Sequence, residues 1–126
     1  MRAVDTNVLV RLLTRDDPDQ TAAAEEFVAG GAWVSLVVLV EAIWVLDSVY
    51  GVKPKSIAIA LDMMLDHQSL VIQDAEVAAA ALTTFRKRPA LGFSDCVVLE
   101  LARKAGHLPL GTFDRELARL DGAKRI

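Results

Sequence analysis

Short apolar runs alternate with longer stretches of helical spacing along this chain. "RAV" ahead of Asp5 reads as a short buried strand, and "TNVLVRLLT" then places Val8, Leu9, Leu12 and Leu13 at helical spacing. Asp17 and Pro18 open the next helix as N-cap and first helical residue, with Gln20 placed to close a capping box. The glycines at 30 and 31 end it. "AWVS" is a second strand, followed by a strongly apolar helix that stops near Gly51. Pro54 begins another helix running to about His67, and "SLVIQ" is a third strand. Asp74 caps the alanine-rich stretch "AEVAAAALTTFRKR", which Pro89 bounds downstream. Ser94 is placed to cap "DCVVLELARKAG", which Gly106 ends. "LPLGTF" predicts a fourth strand, "DRELARL" a short helix and "AKRI" a last edge strand. Strands alternating with helices predict an α/β fold, a three-layer α/β/α sandwich with a mostly parallel central sheet. Such sheets bind ligands beyond the carboxyl ends of their strands.

Composition adjusts this picture in three ways. The 126 residues suit one domain with a single core, spanning 1–126. The hydrophobic fraction of 53% and mean hydropathy of +0.34 are high, which suggests large buried helices or an apolar surface that another chain covers. Glu41 and Asp47 interrupt the longest apolar stretch, and "MRAVDTNVLV" lacks a cleavage site, so no membrane span or signal peptide is expected; the chain reads as soluble and cytoplasmic. The single cysteine, Cys96, rules out an internal disulfide and a thiolate zinc cluster. A formal net charge of −3 does not favour nucleic acid.

The stretch "AWVSLVVLVEAIWVLDSVYG" carries a carboxylate at its centre. Glu41 is mid-helix and caps nothing, and its helical neighbours Val37, Val38, Trp44 and Val45 are apolar, so a functional role is expected for it. Three more acids occupy strand ends and helix starts. Asp5 follows the first strand, Asp95 begins a helix and Asp114 follows "LPLGTF". Singly, each of these suits a helix start, where an acid is favourable by about 0.3–1 kcal/mol. Should the acids converge, two like charges about 4 Å apart repel by roughly 4 kcal/mol at an effective dielectric of about 20. Protonation or a cation would then be required. An all-oxygen site suits a hard ion, Mg²⁺ or Mn²⁺, and the chemistry of such a site is phosphodiester hydrolysis. Asp5 and Asp95 are the expected primary ligands, with Glu41 and Asp114 completing the shell. Asn7, Ser94 and Thr112 are polar companions.

"VDTNVLVRLL", Glu41 in its apolar helix, "GFSDCVVLELARKAG" and "LGTFDREL" together resemble the PIN-domain ribonucleases, most closely those that act as VapC toxins. The resemblance covers nearly the whole chain. It implies that Asp5, Glu41, Asp95 and Asp114 form an acidic quartet binding divalent metal, with Asn7 and Thr112 beside it. It also implies RNA as substrate, a small cognate antitoxin as partner and a homodimer.

Cations for phosphate are available in Arg11 and Arg15, one helical turn apart, in Arg115 and in "FRKR" at 85–88, although the last suits a helix C-terminus without any ligand. Cys96 reads as a small buried apolar residue, His67 and His107 as helix C-terminal residues, and Trp33 and Trp44 as core or interface anchors. The alanine run at 78–81 permits close helix packing. Two other functions fit an acidic pocket on an α/β sheet: a phosphoryl-transfer or receiver-type domain, with Asp74 as acceptor, and a non-catalytic module whose pocket receives a partner's basic side chain.

Overall fold

The computed structural model describes residues 1–126, which divide into two compact units, Met1–Ala75 and Glu76–Ile126. The first contains β1 (Arg2–Ala3), α1 (Thr6–Thr14), α2 (Pro18–Val28), β2 (Ala32–Val34), α3 (Leu36–Ser48), α4 (Pro54–Asp66) and β3 (Leu70–Ile72). Its strands form one parallel sheet in the order β1-β2-β3, with Arg2 opposite Ala32 and Trp33 opposite Val71. The expected parallel α/β arrangement is therefore present, with strands shorter than the apolar runs suggested.

Local chemistry sets the helix limits in this unit. Asp17 accepts from Gln20 N at 3.1 Å with Pro18 at the first helical position, and Pro54 opens α4. The second half of the expected capping box is missing, because the Gln20 carboxamide accepts from Arg11 Nε at 2.6 Å instead. A charged guanidinium outcompetes a backbone amide for that oxygen. The N-terminus of α3 has two partners: Ser35 Oγ accepts from Val38 N at 3.1 Å, and Gln73, just past β3, accepts from Leu36 N at 2.9 Å. Because α1 packs on both α2 and α3, and α4 on α3 and β3, Leu9, Leu39 and Leu61 lie in a core with no solvent exposure.

A polar cluster joins α1 to the end of α3. Arg11 donates to Asp16 at 3.2 Å and to the Tyr50 hydroxyl at 3.1 Å, while Tyr50 and Thr14 donate to Asp16 at 2.8 Å each. The hydrogen bonds from Thr14 and Tyr50, with the Arg11 charge, hold the Asp16 carboxyl below its usual range.

The second unit carries most of α5 (Ala75–Lys87), then α6 (Phe93–Ala105), β4 (Leu110–Thr112) and β5 (Ala123–Arg125), with 3-10 turns at Pro89–Leu91 and Leu117–Arg119. The strands β4 and β5 pair in parallel, Leu110 with Ala123 and Thr112 with Arg125. "AKRI" is thus a strand, as expected, whereas "DRELARL" closes only one 3-10 turn. Phe85 and Phe93 meet edge to face at 6.3 Å. Contrary to expectation, Ser94 does not cap α6. The helix starts two residues earlier, after Gly92 at φ +78°, so Ser94 lies within the first turn. That backbone geometry suits glycine alone among ordinary residues, and it aims the first turn that holds Asp95.

Candidate active site

In the first unit the two expected acids occupy neighbouring helices. Asp5 is exposed and caps α1, accepting from Val8 N at 3.1 Å. Asn7 stands exposed in the same first turn. Glu41 sits on α3, which packs on α1, and it is exposed.

The exposure of Glu41 corrects the sequence reading of its surroundings. Leu36, Leu39, Ala42, Ile43 and Leu46 take the inner face of α3, and the outer face is apolar as well. Val37 is 74% exposed and Trp44 62% exposed, one helical turn either side of Glu41. Glu41 is therefore not a carboxylate enclosed in the core. Surface exposure is compatible with a site that substrate must reach. Trp33 and Trp44 are likewise outside the core.

The second unit holds two acids whose charges bear on each other, Asp95 and Asp114. Asp95, half-buried in the first turn of α6, has its carboxyl pushed above the usual range, first by burial and then by the charge of Asp114. Asp114 is exposed and tightly placed. One oxygen accepts from Glu116 N at 2.7 Å and Leu117 N at 3.0 Å, and the Asp114 amide donates to Thr112 Oγ1 at 3.0 Å. Thr112 thus fixes the backbone of Asp114. Within neither unit do three acidic, histidine or cysteine side chains converge as a ready-made ion cage. What fits a hard divalent cation is the Asp95–Asp114 pair, an all-oxygen donor set whose mutual repulsion a cation relieves.

The candidate phosphate contacts divide. Arg11 is engaged with Asp16, Gln20 and Tyr50, and Arg15 forms an ion pair with Glu25. Arg115 is exposed directly after Asp114. Two further exposed residues, Phe113 just before Asp114 and Arg125 paired with Thr112, are ones the sequence does not single out. The available signal was the aromatic ring inside "TFD".

Cys96 is 1% exposed, and burial, with the charges of Asp95 and Glu100, pushes its thiol up to about 11 from 9.0. That shift lowers the thiolate fraction about a hundredfold. Iodoacetamide is accordingly expected to leave Cys96 unmodified in the native protein and to alkylate it fully in urea, as read by mass spectrometry. Equal rates in both conditions would place the thiol at the surface.

Parallel strands, with Asp95 and Asp114 interacting at a helix start and a strand end, define an α/β protein with an acidic pair. The chain belongs to the PIN domain family, whose model matches residues 2–123 and so runs across both units. No curated protein and no solved structure matches the chain significantly. Membership of that family points to a nuclease-type function. No helix is long and apolar enough to cross a membrane.

Proposed function

We propose that this protein is a metal-dependent endoribonuclease and the toxin of a type II toxin–antitoxin pair. The observation that carries the reading is the raised carboxyl of Asp95 facing the charge of Asp114 at a strand-end site of a PIN domain. Asp95 and Asp114 would hold Mg²⁺ or Mn²⁺, and the family resemblance adds Asp5 and Glu41 to the acids the reaction uses. When bound, the cation supplies charge neutralisation at the phosphate and activation of water for attack on the phosphodiester. The chain's own residues orient the reaction. Asp114 is locked by two backbone amides and by Thr112, Asp5 is locked by its cap, and Arg115 stands ready for a phosphate oxygen.

An apolar groove in the first unit supports the antitoxin as partner. Its volume is about 810 Å³, and Leu12, Leu13, Leu46, Ile59 and Met63 line it. Ile59 and Met63 are 53% and 63% exposed, so large apolar area is left for an amphipathic helix of the partner to cover. The outward face of α3 around Val37 and Trp44 is the surface offered to a second copy. The same groove also favours the rival reading, a binding module without catalysis.

Asp5→Asn separates the two. Asparagine caps a helix as well as aspartate does, so the fold is expected to persist. RNA cleavage in Mg²⁺ is expected to fall by at least about a hundredfold, since loss of an outer-shell partner alone costs about 10–100-fold. Asp5→Ala is expected to lose cleavage and also about 1 kcal/mol of stability with the cap. Cleavage of total cellular RNA by Asp5→Asn at the wild-type rate would remove Asp5 from the chemistry. No cleavage by the wild-type protein would leave the binding module.

A further inference from the structure

The formal charge of −3 is unevenly distributed. Met1–Ala75 carries five lysines and arginines against eleven aspartates and glutamates, and Glu76–Ile126 carries nine against six. The first unit is thus at −6 and the second at +3. Ion pairing sharpens the contrast. In the second unit Lys104 holds Glu76, Arg103 holds Glu100 and Asp121, and Arg119 holds Glu116. The acids left there without a basic partner are Asp95 and Asp114, the candidate cation site. Lys87, Arg88, Arg115, Lys124 and Arg125 are exposed and engage no acid. In the first unit Asp16 and Glu25 take Arg11 and Arg15, and Arg2 lies over the Phe27 ring. A polyanion is therefore drawn to the second unit, which the net charge of the whole chain conceals.

Among the free cations, Arg125 has a defined place. It is the register partner of Thr112 in the parallel β4–β5 pair, so the two side chains leave the ladder on one face. On that face Thr112 Oγ1 accepts the Asp114 amide at 3.0 Å. Arg125 thus shares a face with the hydroxyl that anchors Asp114, yet it forms no ion pair with that acid. A guanidinium in this state has no acid to release before it takes a phosphate oxygen. Lys124 differs. It shares the opposite face with Gly111, where Ile126 also lies. We infer that the phosphate backbone of the substrate lies along the second unit and that Arg125, with Arg115, holds phosphates neighbouring the one cut at Asp95 and Asp114. These contacts are sequence-independent: they position the strand and read no base. The inference rests on the nuclease reading above and adds to it the surface that grips the substrate and the positioning residue Arg125.

The test uses the full chain and two labelled RNA oligonucleotides of unrelated sequence. Binding is read by anisotropy in chelator, so that no strand is cut, from about 25 to 200 mM KCl, and cleavage is then followed in Mg²⁺. Arg125→Ala and Arg115→Ala are each expected to raise Kd by roughly 5- to 10-fold at low salt and to lower the slope of log K against log salt by about 0.7–0.9. The factor is expected to be the same for both sequences. KM for cleavage is expected to rise with Kd while kcat changes little. Arg125→Lys keeps the charge and is expected to keep the slope, which also covers an Arg125→Ala protein that fails to fold. Lys124→Ala, on the other face, is expected to bind within about twofold of the wild type. An unchanged salt slope in Arg125→Ala would overturn the inference, and cleavage by that variant at the wild-type KM would leave the nuclease reading standing without it. A loss confined to one sequence would overturn it by showing base readout. An equal loss from Lys124→Ala would overturn it by showing attraction to net charge alone. Wild-type binding without cutting defeats the nuclease reading and leaves Arg125 to be judged by its slope. Neither binding nor cutting defeats both.

Discussion

Asp95→Asn is expected to stop RNA cleavage and, in metal-free buffer at neutral pH, to raise the melting temperature. The two effects share one cause. Burial and the charge of Asp114 raise the Asp95 carboxyl, so the fold holds its ionised form less well than the unfolded chain does. A carboxyl with a raised folded-state pKa costs no stability below its unfolded value. The destabilisation grows as pH rises through the interval between the two values and is complete above it. Asparagine keeps the shape and removes the charge. Its gain should therefore be present at neutral pH and vanish below about pH 4, the ordinary aspartate value. Mg²⁺ is expected to raise the melting temperature of the wild type and to do so less in the variant. Thermal melts across pH, with chelator and with millimolar Mg²⁺, decide the matter. A variant that melts below the wild type at neutral pH would mean that the carboxylate supports the fold, and the repelling-pair account would fall with it.

Leu39→Ala is expected to cost about 2–5 kcal/mol, a large part of the roughly 5–15 kcal/mol that holds a small domain together. Leu39 has no solvent exposure, and it belongs to the face of α3 turned into the core of the first unit, where α3 packs on α1. Removing its branch leaves a cavity that close-packed neighbours fill only in part. Val37, two residues earlier on the same apolar helix, is 74% exposed, and Val37→Ala is expected to change stability by no more than about 0.5 kcal/mol. Urea unfolding with an unchanged slope gives both values. A comparable loss from both substitutions would show that the outer face of α3 is covered in solution.

That contrast shows where sequence pattern stops being informative. Along α3 nearly every position is apolar, so periodicity has nothing to select between inner and outer faces, and the apolar neighbours of Glu41 do not say which way it points. Only the packing of α1 against α3 decides that Leu39 points in and that Val37, Glu41 and Trp44 point out. Gln20 and Ser94 misled for a related reason. Each satisfies a local capping pattern, yet Arg11 claims the Gln20 carboxamide and α6 starts from Gly92, two residues early.

By itself the sequence determined the α/β alternation, the helix limits at Asp17–Pro18, Gly51, Pro54 and Gly106, and the aspartates at 5, 95 and 114. Those features depend on neighbouring residues, on caps, missing amides and positive φ, and the chain carries that chemistry wherever it folds. Tertiary structure alone decided the outward aspect of Glu41, the commitment of Arg11 and Arg15 to acidic partners, the pressure of Asp114 on Asp95 and the exposure of Phe113. Burial and Coulomb interactions depend on distances between residues far apart in the chain, and spacing along a sequence does not encode those distances.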